Sequence, residues 1–490
     1  MFQDFNNVQI GAMATQAVDA SQAEELAKTI QAGHGYLGAP GSLVGGAALQ
    51  MESIDGTLKS VTYDASNLVM WPSIPQDRAY SLVEQYVRTN SYGDGGSPYI
   101  PESGSPAMND SEYNRHAQKV VFFATRRGVS IPATMVRYAQ GGDLEGRESQ
   151  SGTLWMLERL EREMYKGSAD FSNNGHFDGG AVPGKVQNLN LAGLEQQIRS
   201  GDADYTAQAR AFDGFGGDLS VVFDREGDIL DETIFETVAN RLIENFAQPR
   251  ECHLSPKAMS DFVKTFFPKE RVNSLGIADG KAGYVVREMV TSGGSIALKP
   301  NVFLKPKEAQ MSQAARAGVP NAPASASAAT ATDGDSKLKS GEKYAYLVTA
   351  CNEQGEGSGA AESAQVSVTA DGQCVKLTIA SPSGGNTPSH YAVYRTSKAG
   401  SGAKKFVGYV ARSGASTVFT DRGEKTEGAA TAYVLDMRPE VIVWKQLAPL
   451  MKLNLAQVSM AKEFILWLAG TLILFAPRKS AVIANIGRAS

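Results

Sequence analysis

The chain has 490 residues, 42% hydrophobic and 20% charged, with a formal net charge of -5. That composition is sufficient for two or three cores and excludes global disorder. The mild negative charge excludes a broad basic footprint for nucleic acid and leaves only room for a local basic patch. Cys252, Cys351 and Cys374 are too few and too scattered for a disulfide framework or a zinc cluster, so buried free thiols are expected, with a Cys351–Cys374 pair as the alternative.

The opening MFQDFNNVQIGAMATQA has no basic stretch followed by an apolar one, so no secretory signal is expected and synthesis is read as cytoplasmic. Ser21 and Glu24 form a capping-box pattern ahead of a short amphipathic helix that ends near Gly33. From Gly33 to Gly56 the chain is rich in Gly and Ala, which predicts an arm ordered by lying on something else. Tyr80 to Thr89 fits helix or strand. The polar loop SYGDGGSPYIPESGSPAMNDSE leads to Lys119–Ala124 and Val129–Tyr138, whose β-branched and aromatic bias predicts a long two-stranded excursion, with Pro132 demoting the second strand to an edge or bulge.

The clearest helix is expected from Gly141 to Lys166. Leu154, Leu157, Leu160 and Met164 recur at helical spacing as its core face, Glu158 and Arg162 form an i,i+4 pair, and Gly167 stops it. Helices and strands then alternate from Asn188 to Phe267: a strand at Leu219–Phe223, a helix from Asp231 to Phe246, and a helix begun by Ser255 and Pro256. Strands follow at Gly283–Met289 and Ser295–Leu304, so the host reads as α+β.

An Ala/Ser/Pro stretch over 307–337 reads as a linker. Beyond it strand signals crowd together at Tyr344–Ala350, Ala364–Thr369, Val375–Ile379, His390–Arg395, Phe406–Ala411 and Val418–Asp421, separated by turn residues. That spacing predicts an inserted all-β sandwich over 338–435. The last fifty or so residues are too apolar for a tail and are expected to complete the host core. Phe464 to Ala476 is too short for a membrane span, which needs about 20 residues, and reads as a buried helix-to-strand passage.

Chemistry is scarce. There is no P-loop, no HExxH and no GxSxG, and the Gly-rich stretches lack dinucleotide spacing. The five histidines, His34, His116, His176, His253 and His390, lie far apart. The acidic run Asp224 to Glu232 lacks the Gly and Glu positions of a calcium loop and reads as a turn ahead of a helix N-terminus. No catalytic residue, metal site or cofactor is expected. The densest basic cluster, Arg115, Lys119, Arg126 and Arg127, is expected either to be solvated or to pair with acidic residues of a neighbouring subunit.

In order, these segments resemble a tailed-bacteriophage major capsid protein of the Hong Kong ninety-seven-like fold. The resemblance is carried by the arm, the loop ending in KVVFFATRRGVSIPATMV, and the helix SGTLWMLERLEREMYKG with its Glu-Arg-x-x-Tyr-x-Gly ending at Glu161 to Gly167. It is carried further by CHLSPKAMSDF and by FILWLAGTLILFAPRKSAVIANI. It implies an N-terminal arm (1–79), an extended loop (80–140), a spine helix with peripheral domain (141–187), an axial domain with return strands (188–306), and a return to the capsid core (436–490). The insert, with YAYLVTACNEQGEG and HYAVYRTSKAGSGAKKFVGYVA, resembles an immunoglobulin-like or fibronectin type III-like module.

The resemblance implies self-assembly into hexamers and pentamers of an icosahedral head around double-stranded DNA, with portal, scaffolding and decoration proteins as further partners, weak non-specific contacts to the packaged DNA, and no membrane. It places the chain in a virion assembled in the host cytoplasm. Some relatives cross-link Lys to Asn between subunits, but no matching Lys, Asn and Glu set is recognisable here. A nanocompartment shell, and a carbohydrate-binding or adhesion protein acting through the sandwich, are the alternatives.

Overall fold

The computed structural model describes residues 62–93, 99–105, 108–135, 143–167, 191–208, 220–265, 286–305, 318–352, 355–457 and 459–487. The Ser21 helix and the Gly/Ala-rich arm lie outside these residues. All described residues belong to one compact unit, Thr62–Met135 with Asp143–Ser490.

The first part holds the helical turn α1 (Met70–Ser73), β1 (Gln76–Arg78), β2 (Val83–Ser91), β3 (Glu112–Lys119), β4 (Val121–Ser130), the short α2 (Ile131–Met135) and the long α3 (Leu144–Lys166). Then come α4 (Leu194–Gln208), β5 (Val222–Asp224), α5 (Glu232–Glu244), β6 (Glu251–Leu254), α6 (Pro256–Lys264), β7 (Glu288–Thr291) and β8 (Gly294–Pro300). The inserted module holds β9 (Ser325–Thr332), β10 (Lys343–Tyr344), β11 (Tyr346–Asn352), β12 (Gly355–Glu362), β13 (Val366–Ser367), β14 (Gln373–Ala380), β15 (His390–Arg395), β16 (Lys405–Ala411) and β17 (Ser416–Asp421). The chain ends with β18 (Ala430–Leu435), β19 (Ile442–Asn454), β20 (Ala461–Leu474) and β21 (Ala481–Ile486).

Two sheets build the host. One has the order β1-β19-β20-β4 and the other β5-β21-β18-β6-β8-β7. Their buried side chains form one continuous core that includes Met70, Leu160, Phe235, Tyr433, Trp444 and Ile483. The last segment supplies β18 to β21, strands of both sheets, so the residues before and after the insert complete a single core.

Helix α3 starts where Asp143 accepts a hydrogen bond from Glu145 N and ends at Gly167. It lies close on the β20–β4 sheet: a Cβ at Gly152 would stand 2.7 Å from Leu466 Cδ1. Leu160 and Met164 are buried, Leu154 and Leu157 are half-buried, and Met156 and Tyr165 complete the inner face. Helices α5 and α6 are capped by Asp231, which accepts from Ile234 N at 3.0 Å, and Ser255, which accepts from Ala258 N at 3.3 Å. The acidic run therefore ends in a helix N-cap.

Several expected boundaries move. The excursion is not built from Lys119–Ala124 and Val129–Tyr138; β2 pairs with β3, from Val83 opposite Lys119 to Ser91 opposite Glu112. The stretch 121–130 is a single strand of the host sheet, paired with β20 from Ala461 opposite Ser130 to Gly470 opposite Val121. Pro132 sits in the first turn of α2, where its missing N–H costs nothing. Phe464–Ala476 contains no helix: β20 is strand to Leu474. Leu466, Leu468, Leu472 and Leu474 share one face of this strand and are buried in the core, and toward its end Ala469, Thr471 and Ile473 on the other face are buried as well.

The module holds two larger antiparallel sheets, β12-β11-β15-β16 and β17-β14-β9, and a short β10-β13 pair, with a core of Tyr346, Val348, Val375, Leu377, Ile379 and Val393 among others shared by the two larger sheets. Its boundaries shift at both ends. Ser325–Thr332, expected in the linker, is an edge strand paired with β14 over eight positions, and Ala326 is buried in the core. Ala430–Leu435, expected in the module, is β18 of the host, paired with β6 and β21. Of Ala364–Thr369 only Val366–Ser367 forms strand. Cys351 and Cys374 are buried on strands of different sheets and form no disulfide, and Cys252 is a buried thiol in the host.

A chain of buried polar groups joins the host segments. Glu161, with 0% exposure, accepts from Val69 N (3.0 Å), Met70 N (2.7 Å), Trp71 N (3.0 Å) and Asn301 Nδ2 (2.8 Å). Asn301 Nδ2 also donates to the Tyr165 hydroxyl at 3.3 Å, which lies 2.6 Å from His253 Nδ1. His253 Nε2 lies 3.0 Å from Glu251 Oε2. Lys299 Nζ donates to Glu251 Oε1 (2.6 Å) and Ser73 Oγ (3.2 Å), and Ser73 Oγ donates to Val69 O (2.8 Å), which closes the loop.

Two predictions follow from this loop. Glu161→Gln turns one of the acceptor oxygens into a donor facing main-chain N–H groups, and should lower the unfolding free energy of the isolated subunit by about 2–4 kcal/mol in urea titrations; a change under about 0.5 kcal/mol would remove the carboxylate from its central place. The second concerns pH. Burial would raise the Glu251 carboxyl, but hydrogen bonds from His253 and Lys299 and their charges outweigh it and hold it down at about 2, against an ordinary 4.5. A depressed carboxylate contributes fully above its unfolded value and loses that contribution as pH falls toward its folded one. The melting temperature should therefore fall from about pH 4.5 toward pH 2, and less steeply in Glu251→Gln; parallel profiles would rule the group out.

Candidate interaction surface

The β2–β3 hairpin stands apart from both host sheets in its pairing. A two-stranded ribbon is marginal alone and needs something to pack on. Strand alternation divides its side chains into two sets. Glu84, Tyr86 and Arg88 with Asn114, His116 and Gln118 form a half-buried inner face. Tyr86 stacks against His116 at 5.7 Å and meets Phe475 edge-on at 5.2 Å, while Arg88 donates to the carbonyls of Leu474 (3.0 Å) and Phe475 (2.6 Å).

The outer face carries Val83, Gln85, Val87 and Thr89 opposite Lys119, Ala117, Arg115 and Tyr113, all exposed. Val87 is 60% exposed and Tyr113 63%. Around the hairpin Tyr80, Leu82, Tyr92, Tyr99, Met108 and Phe122 are exposed as well. An apolar surface of this kind with a charged rim is a place where another protein surface fits.

The four basic residues expected to act together separate into two pairs. Arg115 and Lys119 lie on the outer face of the hairpin. Arg126 and Arg127 lie on β4, and each meets a carboxylate of its own chain: Arg126 pairs with Glu463, and Arg127 Nη1 lies 3.6 Å from Glu148. Within the subunit, both arginines therefore have an acidic partner. Arg88 was not singled out by sequence reasoning, because a lone arginine on an amphipathic strand has no motif; the signal was its inner-face parity with Tyr86.

Other polar groups resolve into structural roles. His253 belongs to the buried loop of hydrogen bonds, and His390 Nδ1 lies 2.8 Å from Ser389 Oγ; His34 and His176 lie outside the described residues. Among the described residues no cluster of three or more His, Cys, Asp and Glu is placed to hold a metal, and no helix is long and apolar enough to cross a membrane.

No family model matches the chain. Curated relatives match along nearly all of it. The major capsid protein of Staphylococcus phage S25-3 is 24% identical over 476 residues, 94% of this chain and 95% of that protein. The major capsid protein of Staphylococcus phage K is 24% identical over the same length, again with 94% and 95% covered. Among solved structures, the capsid of cyanophage P-SCSP1u covers 93% of this chain and 98% of its own, with 9% identity and a TM-score of 0.45. Along nearly its whole length, therefore, the chain is homologous to the major capsid proteins of bacteriophages, structural proteins of the virion.

Proposed function

We propose that this chain is the coat subunit of a tailed-phage head of the Hong Kong ninety-seven-like fold, and that it assembles into hexamers and pentamers of an icosahedral shell around double-stranded DNA. The observation that carries the reading is the match to phage major capsid proteins over 94% of the chain. The exposed outer face of the hairpin supports it, because a shell subunit needs surfaces that symmetry reuses. Weak contacts repeated many times give a durable shell through multivalency. The subunit's partners are then copies of itself, a portal, scaffolding and decoration proteins, and packaged DNA through non-specific contacts, with assembly in the host cytoplasm. The curated relatives, named as phage major capsid proteins, favour this reading over the nanocompartment and adhesion alternatives.

The module is read as an immunoglobulin-like decoration on the outer surface of the shell, and the segments 1–79, 80–140, 141–187, 188–306 and 436–490 as arm, extended loop, spine and peripheral domain, axial domain and core return. Support for the module's separateness is its own core, distinct from that of the host.

Expressed alone or with its scaffold, the protein should give closed shells of uniform diameter by electron microscopy; monodisperse monomers across salt and protein concentration would overturn the reading. Deleting 318–427, so that β18 is kept, with a short Gly/Ser bridge, should leave shell formation within about two-fold of wild type, as expected for a module with its own core. A deletion variant that stays folded but makes no shells would make the module a lattice element.

A further inference from the structure

Strand β4 pairs with β20 only as far as Val121 opposite Gly470. Past that point β20 runs on to Leu474 without a described strand along that edge. A bare strand edge leaves main-chain groups in need of partners. Two side chains supply them. Gln197, on α4, donates through Nε2 to Leu472 O at 2.9 Å, and its Oε1 accepts from Leu474 N at 2.9 Å. Its amide stands where a residue of a neighbouring strand would stand. Arg88, on β2, continues the line. Its Nη2 donates to Leu474 O at 3.0 Å and its Nε to Phe475 O at 2.6 Å. Tyr86 reinforces the same point: its ring meets Phe475, and its hydroxyl accepts from Arg88 Nη2 at 3.0 Å.

The arrangement has a directional consequence. The root of the hairpin is fixed by Val120 N donating to Leu82 O at 2.9 Å and by Ala79 N donating to Gln446 O at 2.9 Å. Arg88 lies further out, beyond the root. A ribbon held at its root alone swings; a second fixed point sets its inclination. The guanidinium is suited to this because its planar fork reaches two successive carbonyls, whereas an ammonium is a point donor on a flexible stem.

We propose that Arg88 is a latch that fastens the β2–β3 hairpin to the open end of β20 and sets its inclination on its own subunit, before a second copy of the chain engages its outer face. The latch itself rests on the geometry of one subunit; the engagement of a second copy rests on the assembly reading above.

The test is hydrogen exchange on the purified, unassembled subunit, with Arg88→Ala, Arg88→Lys and, as an outer-face control, Val87→Thr. Arg88→Ala should speed exchange of the 83–91 and 112–119 amides by about ten-fold or more, Arg88→Lys by less, and Val87→Thr hardly at all, while amides of α3 and β18 keep wild-type protection. Hairpin protection unchanged in Arg88→Ala would overturn the latch. So would faster exchange of α3 and β18 together with the hairpin in both arginine variants, since Arg88 would then be part of the global fold. Assembly is read separately. Arg88→Ala subunits with intact cores should give shells of mixed size; uniform wild-type shells would overturn the link between inclination and assembly. Failure of the wild type to assemble would count against the capsid reading and leave the exchange result standing.

Discussion

The host fold depends on where the Glu161 carboxylate finds its four hydrogen-bond donors. Three are consecutive main-chain N–H groups, Val69 to Trp71, at the start of α1. A helical turn leaves such donors without internal partners, and Val69, at the N-cap position, offers no side-chain acceptor. The missing cap comes from α3, some ninety residues later. The fourth donor, Asn301, follows β8 directly, so one carboxylate joins the start of the described chain, the long helix and the strand before the insert. A buried carboxylate is costly unless hydrogen bonds replace its water, and here four donors do so. From Asn301 the connection runs through Tyr165 and His253 to Glu251 and Lys299, and returns to α1 at Ser73. Packing alone tolerates small sliding of these elements; a closed ring of directional bonds does not.

That ring also gives physical content to the Glu-Arg-x-x-Tyr-x-Gly ending that stood out in the sequence. Glu161 and Tyr165 are four apart and share the inner face of α3. Gly167 lies where a Cβ would strike the carbonyl oxygens of Glu163 and Leu191, and its own carbonyl accepts from Gly193 N at 2.9 Å, so the chain crosses close to itself as it returns to α4. The helix was legible because its apolar spacing and its stop signal are local. The ring was not, because each bond joins residues tens to hundreds of positions apart, and no pattern in one chain reports such a pairing.

The same contrast explains the misplaced boundaries. SASAATAT contains no large apolar residue, so it reads as linker; it is a strand because the faces of β14 accept small side chains along an edge, and Ala326 is enough to touch the core. ATAYVL carries the same β signal as the module strands just before it, and only its pairing with His253 to Glu251 assigns it to the host. Arg126 and Arg127 read as a free basic cluster because Glu463 and Glu148 are distant in sequence. On the hairpin the alternation was visible, but which face is inner depends on Phe475, far away at the end of β20.

The place of the insertion follows from the order β18-β6-β8. Strand β8 runs parallel to β6 and places Pro300 beside Leu254, while β18 runs antiparallel and places Tyr433 beside His253. The chain thus leaves the sheet and re-enters it at the same end, on either side of one strand, about 10 Å apart at the usual strand spacing. A break of that width can be closed by a short loop or by a folded domain with little difference in entropy, since closure cost grows only slowly with length. The module is also more than tethered. Lys337 Nζ lies 2.5 Å from Glu226, and Asn485 Nδ2 donates to Glu424 O at 2.7 Å and Asp224 Oδ1 at 2.8 Å. Glu226 and Asn485 both hold positive φ, 51° and 54°, and Gly227 between them and Thr426 holds 97°. Left-handed backbone at non-glycine residues persists where surrounding contacts demand it. At this seam the two residues carry the contacts that tie the base of the module to the host.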